Sequence, residues 1–184
     1  MITTPDGAID VDGRSGPLGG PADQARLKEL RAQASVVLVG AGTARAEKYG
    51  PPSQSGLHIA VVTNSCDFDF SSPLFASGAG IIVTHLDAPE VPVPSIRAGH
   101  GTVNLAEIMK QLPHGIVHVE GGPSLNAALL DADLVDVINL TFSPRLVGVR
   151  GVSFAQAPHA LRAFTQTSMH TRDDFVFVRY ERQR

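Results

Sequence analysis

Three short apolar runs mark the first half of the chain: Val36–Val39, His58–Thr63 and Gly80–Thr84. Each is rich in Val and Ile and ends at Gly or polar residues, the pattern of a strand buried on both faces of a parallel sheet. Helical patterning alternates with them. Pro21 suits a first helical position, Asp23 falls where the helix dipole favours a carboxylate, and Leu27, Leu30 and Ala34 follow at helical spacing. Leu105, Ile108, Met109 and Leu112 match the i, i+3, i+4, i+7 template and predict an amphipathic helix over Leu105–Leu112. Strand Ile116–Glu120 comes next, then Gly121-Gly122-Pro123, with Pro123 as first helical residue, then a helix over Ser124–Asp131. Val135–Phe142 alternates as a strand does. Phe175 and Phe177 alternate with Val176, Val178 and Tyr180, giving a last strand that pairs near Ser168–Thr171. Asp6–Pro21 reads as turns and exposed loop, with no strand before it, and Ala88–Pro94 as a surface connection.

Helices alternating with strands, then a β-rich end, predict an α/β layered domain. Its sheet is largely parallel, with helices on both faces and one antiparallel C-terminal edge. The 184 residues fit one domain. A net charge of −3 and the lack of any Lys/Arg run offer no electrostatic footprint for nucleic acid. Cys66 is the only cysteine, so no intramolecular disulfide forms, as suits a reducing cytoplasm. No apolar run approaches membrane-span length. The histidines and Cys66 show no metal-ligand spacing. Neither a Gly-x-Ser-x-Gly elbow nor a P-loop is present, which removes the commonest hydrolase and kinase readings.

One grammar occurs twice: an apolar strand that runs into a Gly-rich turn, VVLV-GAGT and later GIVHVE-GGPSLNAALL. In a parallel α/β sheet the carboxyl ends of the strands share one edge, where ligands bind. Glycine lets backbone N–H groups approach such a ligand, and the start of the helix after Gly122, around Ser124 and Leu125, is an anion site that a pyrophosphate fits. Gly40-Ala41-Gly42 lacks the third glycine of the Rossmann fingerprint, and no ribose-holding acid follows about twenty residues on. Glu120 shares a strand face with Ile116 and His118. It either faces the ligand crevice or neutralises the next helix N-terminus. His118 alone reads as a core-edge histidine.

Together these pieces resemble a known family. DGAI followed by GRS, then Leu30-Arg31, VLVGAGTARAE, VEGGPSLNAALL and FSPRLVG look like the reductase domain of riboflavin biosynthesis. That domain is the C-terminal half of bifunctional deaminase–reductases and also occurs alone. The resemblance implies a dihydrofolate-reductase-like three-layer fold, NADPH as cofactor, a cytoplasmic location and a homodimer. It places Gly40, Gly42, Thr43, Glu47 and Ser65 at the cofactor, with Pro17 and Gly19 bordering its nicotinamide end and Gly122, Pro123, Ser124 and Leu125 holding its phosphates. Ser15, Arg31 and Glu120 match substrate-contacting positions; Arg31 also reads as a helix-end charge bonded to the last carbonyls.

The reaction so implied is hydride transfer from NADPH to C1 of the sugar of 5-amino-6-(5-phosphoribosylamino)uracil, giving the ribitylamino product. Glu120 and Asp6 are the acids nominated as substrate anchor or proton relay, with a bound water as the other donor. Alternatives are another pterin or pyrimidine substrate such as dihydrofolate, or a non-catalytic nucleotide-binding domain. The chain departs from the family pattern in three places. A first strand carrying Asn or Lys is missing or truncated ahead of Met1, and Pro5 replaces the usual Leu. EKYGPPSQSG stands where Asn-Pro-x-Leu-Thr-x-Arg is usual, so a substrate-phosphate arginine is absent, with Arg45 and Lys48 as replacements.

Overall fold

The computed structural model describes residues 1–148, 153–155 and 161–183. In chain order the elements are β1 (Ile2–Thr3), a 3-10 turn (Gly16–Leu18), α1 (Pro21–Ala32), β2 (Val36–Gly40), α2 (Ala41–Ala46), β3 (Ile59–Val62), α3 (Pro73–Ala76) and β4 (Gly80–Thr84). Then come β5 (Ser95–Arg97), α4 (Leu105–Gln111), β6 (Val117–Val119), α5 (Pro123–Asp131), β7 (Val137–Phe142), β8 (Phe164–Arg172) and β9 (Phe175–Arg182). Among the described residues no helix is long and apolar enough to cross a membrane. The chain divides into two compact units, Leu30–Gly122 and the remainder.

Leu30–Gly122 carries a five-stranded sheet in the order β5-β4-β3-β2-β6, every pairing parallel. The continuous apolar runs have a physical cause here. Val36, Val37, Leu38 and Val39 are all buried because β2 lies inside the sheet with neighbours on both sides. On one face Val37, Val39, Ile59, Val61 and Ile82 pack with Leu74 and Phe75 of α3, and Phe68, Phe70 and Tyr49 close over that cluster. Phe75 meets Phe68 edge-on at 5.6 Å, a favoured aromatic geometry. In α4, Asn104 caps the helix by accepting the Glu107 N–H.

The other unit, Met1–Glu29 with Pro123–Arg184, has a four-stranded sheet in the order β1-β7-β9-β8. β1 runs parallel to β7, while β7–β9 and β9–β8 are antiparallel. The expected partner region of the last strand lies in β8, with Ser168 opposite Arg179 and Thr171 opposite Val176. The molecule is therefore α/β with a parallel sheet and an antiparallel C-terminal edge, as the patterning predicts, although the ladders form two sheets.

Some elements differ from the sequence reading. Ile2 and Thr3 form a strand where only a turn was expected, and the backbones of Met1 and Thr3 accept from Thr141 and Ser143. The stretch after Ala88–Pro94 adds β5 to the parallel sheet. Both strands are too short to leave a periodic trace. Leu27, expected on the packed face of α1, is exposed.

Candidate functional site

The two glycine turns meet. β2 and β6 are adjacent parallel strands, and their hydrogen bonding continues past the end of β6: Glu120 N–H donates to Leu38 O, and Gly40 N–H donates to Gly121 O, each at 2.9 Å. Gly121 and Gly122 have φ of 95° and 100°, a region that favours glycine. A Cβ on Gly122 would stand 3.3 Å from Thr43 Oγ1 and 3.5 Å from Gly40 Cα. Around Gly42 nothing lies within 4 Å of such an atom. The result is a tight backbone cradle in which Gly122 packs against Gly40 and the Thr43 side chain. It stands at the carboxyl ends of two adjacent parallel strands, the edge of an α/β sheet where ligands such as nucleotides bind.

Beside that cradle, Glu120 emerges as the last residue after β6. Its carboxylate takes Arg31 Nε on Oε1 at 2.5 Å and Arg31 Nη2 on Oε2 at 2.6 Å. The Tyr49 hydroxyl donates to Oε2 at 2.6 Å. His118 Nε2 lies 3.6 Å from Oε1, as expected for two residues on one strand face. The Glu120 side chain is 4 % exposed and that of Arg31 28 %. Burial pushes the Glu120 carboxyl up, but the Arg31 guanidinium and the Tyr49 hydroxyl outweigh it and hold the group below the usual carboxylate range. Glu120 is thus a fixed, ionised acceptor. That suits anchoring or field stabilisation better than storing a proton at neutral pH.

Arg31 belongs to the last turn of α1, yet it reaches this carboxylate rather than the helix's own carbonyls. The bond to Glu120 raises its pKa further. Tyr49 is delivered by the end of α2. Lys48 takes φ 51°, its N–H donates to Arg45 O, and the Tyr49 N–H returns to Ala44 O. This is the Schellman pattern with lysine in the usual glycine position. It turns the chain so that Tyr49 packs against the core and meets Glu120. Burial, then the Glu120 charge, raise the phenol well above its ordinary 10.0, so it stays protonated and donates. Sequence reasoning missed Tyr49; its partner lies 71 positions away.

Other expected residues of Leu30–Gly122 stand further along the same strand edge. Glu47 closes α2, donating its N–H to Thr43 O. Ser65 follows β3 and is exposed, its Oγ accepting from Asp67 N. Of the two proposed replacements for the substrate-phosphate arginine, Arg45 bonds Asp67 O at 3.1 Å and lies over the Phe68 ring, and Lys48 is exposed.

In the other unit, Asp6 caps a loop end. It accepts the Thr4 hydroxyl, Val147 N–H at 3.1 Å and Gly148 N–H at 2.6 Å. The Thr4 bond, then that from Gly148, lower its pKa, so this exposed carboxylate too is ionised. Ser15 precedes the 3-10 turn that contains Pro17, and Gly19 follows it. Pro123 opens α5, with Ser124 exposed and Leu125 buried in its first turn. Ser143 and Arg145 were not foreseen as functional, although FSPRLVG stood out as a motif; both bond to Leu18 O at 2.7 Å. Among the described residues no group of three His, Cys, Asp or Glu side chains could hold a metal ion.

No curated protein matches the chain. Among solved structures, a pyrimidine reductase-like protein from Corynebacterium diphtheriae is 26 % identical with a TM-score of 0.83, the match covering 100 % of this chain and 90 % of that one. RibD from Acinetobacter baumannii is 14 % identical with a TM-score of 0.80; the match covers 100 % of this chain but only 57 % of RibD, so the chain spans little more than half of that protein. A dihydrofolate reductase from Enterococcus faecalis, complexed with NADP(H) and RAB-propyl, is 16 % identical with a TM-score of 0.64, over 100 % of this chain and 94 % of that one, and has the same fold. The family model described as the RibD C-terminal domain matches residues 1–177. The chain belongs to the RibD C-terminal domain family.

Proposed function

We propose that the chain is a single-domain, NADPH-dependent reductase of riboflavin biosynthesis, acting on 5-amino-6-(5-phosphoribosylamino)uracil. The observation that carries the reading is the joined pair of glycine turns beside an ionised Glu120. Membership of the RibD C-terminal domain family and the likeness to a pyrimidine reductase-like protein support it.

The cradle lies at the carboxyl ends of β2 and β6, the edge where an α/β sheet takes a dinucleotide. Gly40, Gly42, Thr43, Glu47 and Ser65 are proposed to hold NADPH, and Pro17, Gly19, Pro123, Ser124 and Leu125 are assigned to it by the family resemblance. When bound, the nicotinamide supplies the hydride. The protein's part is position and field. Glu120 accepts hydrogen bonds from the substrate while Arg31 and Tyr49 fix its orientation. Ser15 and Arg31 contact the substrate. With Glu120 and Asp6 both ionised, the proton comes from water. The enzyme is proposed to be a cytoplasmic homodimer.

NADPH should raise the thermal midpoint strongly and NADH less, because a ligand that binds only the native state stabilises by about 2.7 kcal/mol at a hundred times its Kd. The pyrimidine intermediate should then oxidise bound NADPH. No shift with either nucleotide removes the reductase reading. A shift with NADPH consumption only on dihydrofolate moves the substrate, and a shift without any turnover leaves a nucleotide-binding domain.

A further inference from the structure

The FSPRLVG segment, Phe142–Gly148, has no part in the chemistry proposed above, yet it ties down the Gly-rich loop that follows β1. Ser143 is 1 % exposed, and its hydroxyl donates to Leu18 O at 2.7 Å. Arg145 Nη1 donates to the same carbonyl at 2.7 Å and to Gly19 O at 3.2 Å, while its guanidinium lies over the Phe175 ring. At the other end of the segment the Asp6 carboxylate accepts the N–H groups of Val147 and Gly148. One segment therefore grips the loop at both ends, near Asp6 and at Leu18–Gly19.

A guanidinium spent on two main-chain carbonyls does little for a surface, but carbonyls held by a charged donor are held firmly. Between the anchors the first part of the loop is held by its own contacts: Ala8 and Ile9 are buried, and Ala8 bonds to Thr3 and Thr4. Val11 and Arg14 form an isolated two-bond bridge, and Asp12 and Gly13 take positive φ at an exposed tip. Leu18 is buried, whereas Pro17 beside it is exposed.

We infer that Arg145 is a positioning residue: it fixes the carbonyls of Leu18 and Gly19 and so sets the conformation of Pro17–Gly19, the stretch assigned to the nicotinamide end. This rests on the reductase reading for its catalytic consequence and on the hydrogen bonds alone for its structural one. The two are separable by experiment.

Limited trypsin digestion reads the structural part without any substrate. Arg14 lies in the braced loop, and Arg172 at the β8–β9 hairpin serves as internal reference. Arg145→Met should speed cleavage after Arg14 about tenfold, the scale of a lost charge-assisted contact, with cleavage after Arg172 unchanged. Arg145→Lys should restore most of the protection. On the pyrimidine substrate Arg145→Met should lower kcat about tenfold while the Kd for NADPH moves less than twofold, because the adenosine and phosphate contacts lie elsewhere. Equal acceleration at both sites, or none at Arg14, overturns the brace. Faster cleavage after Arg14 with unchanged kcat overturns the positioning role. If the unmodified protein does not oxidise NADPH at all, the function proposal fails instead, and the ratio of the two cleavage rates still decides the brace.

Discussion

Arg31 and Glu120 form one bidentate pair across 89 positions of sequence, Nε on Oε1 and Nη2 on Oε2. The two partners are unequal: the carboxylate is nearly enclosed, whereas part of the guanidinium reaches solvent. Removing either one therefore leaves a different kind of defect.

Arg31→Met strands a buried negative charge and should cost about 3 kcal/mol, while Glu120→Gln leaves an arginine that can turn to water and should cost nearer to about 1 kcal/mol. Urea unfolding of both variants tests the order; equal losses would refute it. The pair also predicts a pH profile. Glu120 has a native pKa below its ordinary 4.5, so its stabilisation is present above 4.5 and disappears as pH falls through the lower native value. Wild type and Glu120→Gln should converge in urea midpoint at the acid end. On turnover, Glu120→Gln should spare NADPH affinity and reduce kcat/KM for the pyrimidine.

Tyr49→Phe deletes a single hydroxyl that donates to Glu120, so about 1–2 kcal/mol should be lost. The phenol stays protonated in the native protein above 10.0 while the unfolded chain ionises there. Wild-type stability should thus decline as pH rises past 10.0, and the part due to this residue should vanish in Tyr49→Phe. An unchanged alkaline limb would show that the phenol does not titrate as proposed.

Gly122→Ala places a methyl group 3.3 Å from Thr43 Oγ1 on a backbone with φ of 100°. It should destabilise the protein by about 1–2 kcal/mol and weaken NADPH binding. Adding Thr43→Ala relieves the contact but not the backbone strain, so the double variant should recover little stability. Full recovery, read by thermal unfolding, would mean that sterics rather than φ forbids a side chain there.

The strands of the parallel sheet were legible because burial on both faces leaves an unbroken apolar run, as in Val36–Val39. The helix at Leu105–Gln111 was legible because only one of its faces is buried. Glu120 stood out as a carboxylate ending such a run. Its contact with Tyr49 did not. The Tyr49 contact depends on the left-handed turn at Lys48, which lysine does not advertise. α3, at four residues, and β5, at three, hold hardly more than one period of a helix or strand, too little for a pattern to repeat. Ser143 and Arg145 carried a motif, but which carbonyls they bind depends on a loop more than a hundred residues earlier.

The hydrogen bond from Gly40 to Gly121 has a practical corollary for engineering. Because each bend completes the other's ladder, neither can be lengthened or exchanged alone without breaking that link. Chimeras between relatives should transplant both as one cassette, and libraries that randomise only one of them should yield mostly misfolded clones.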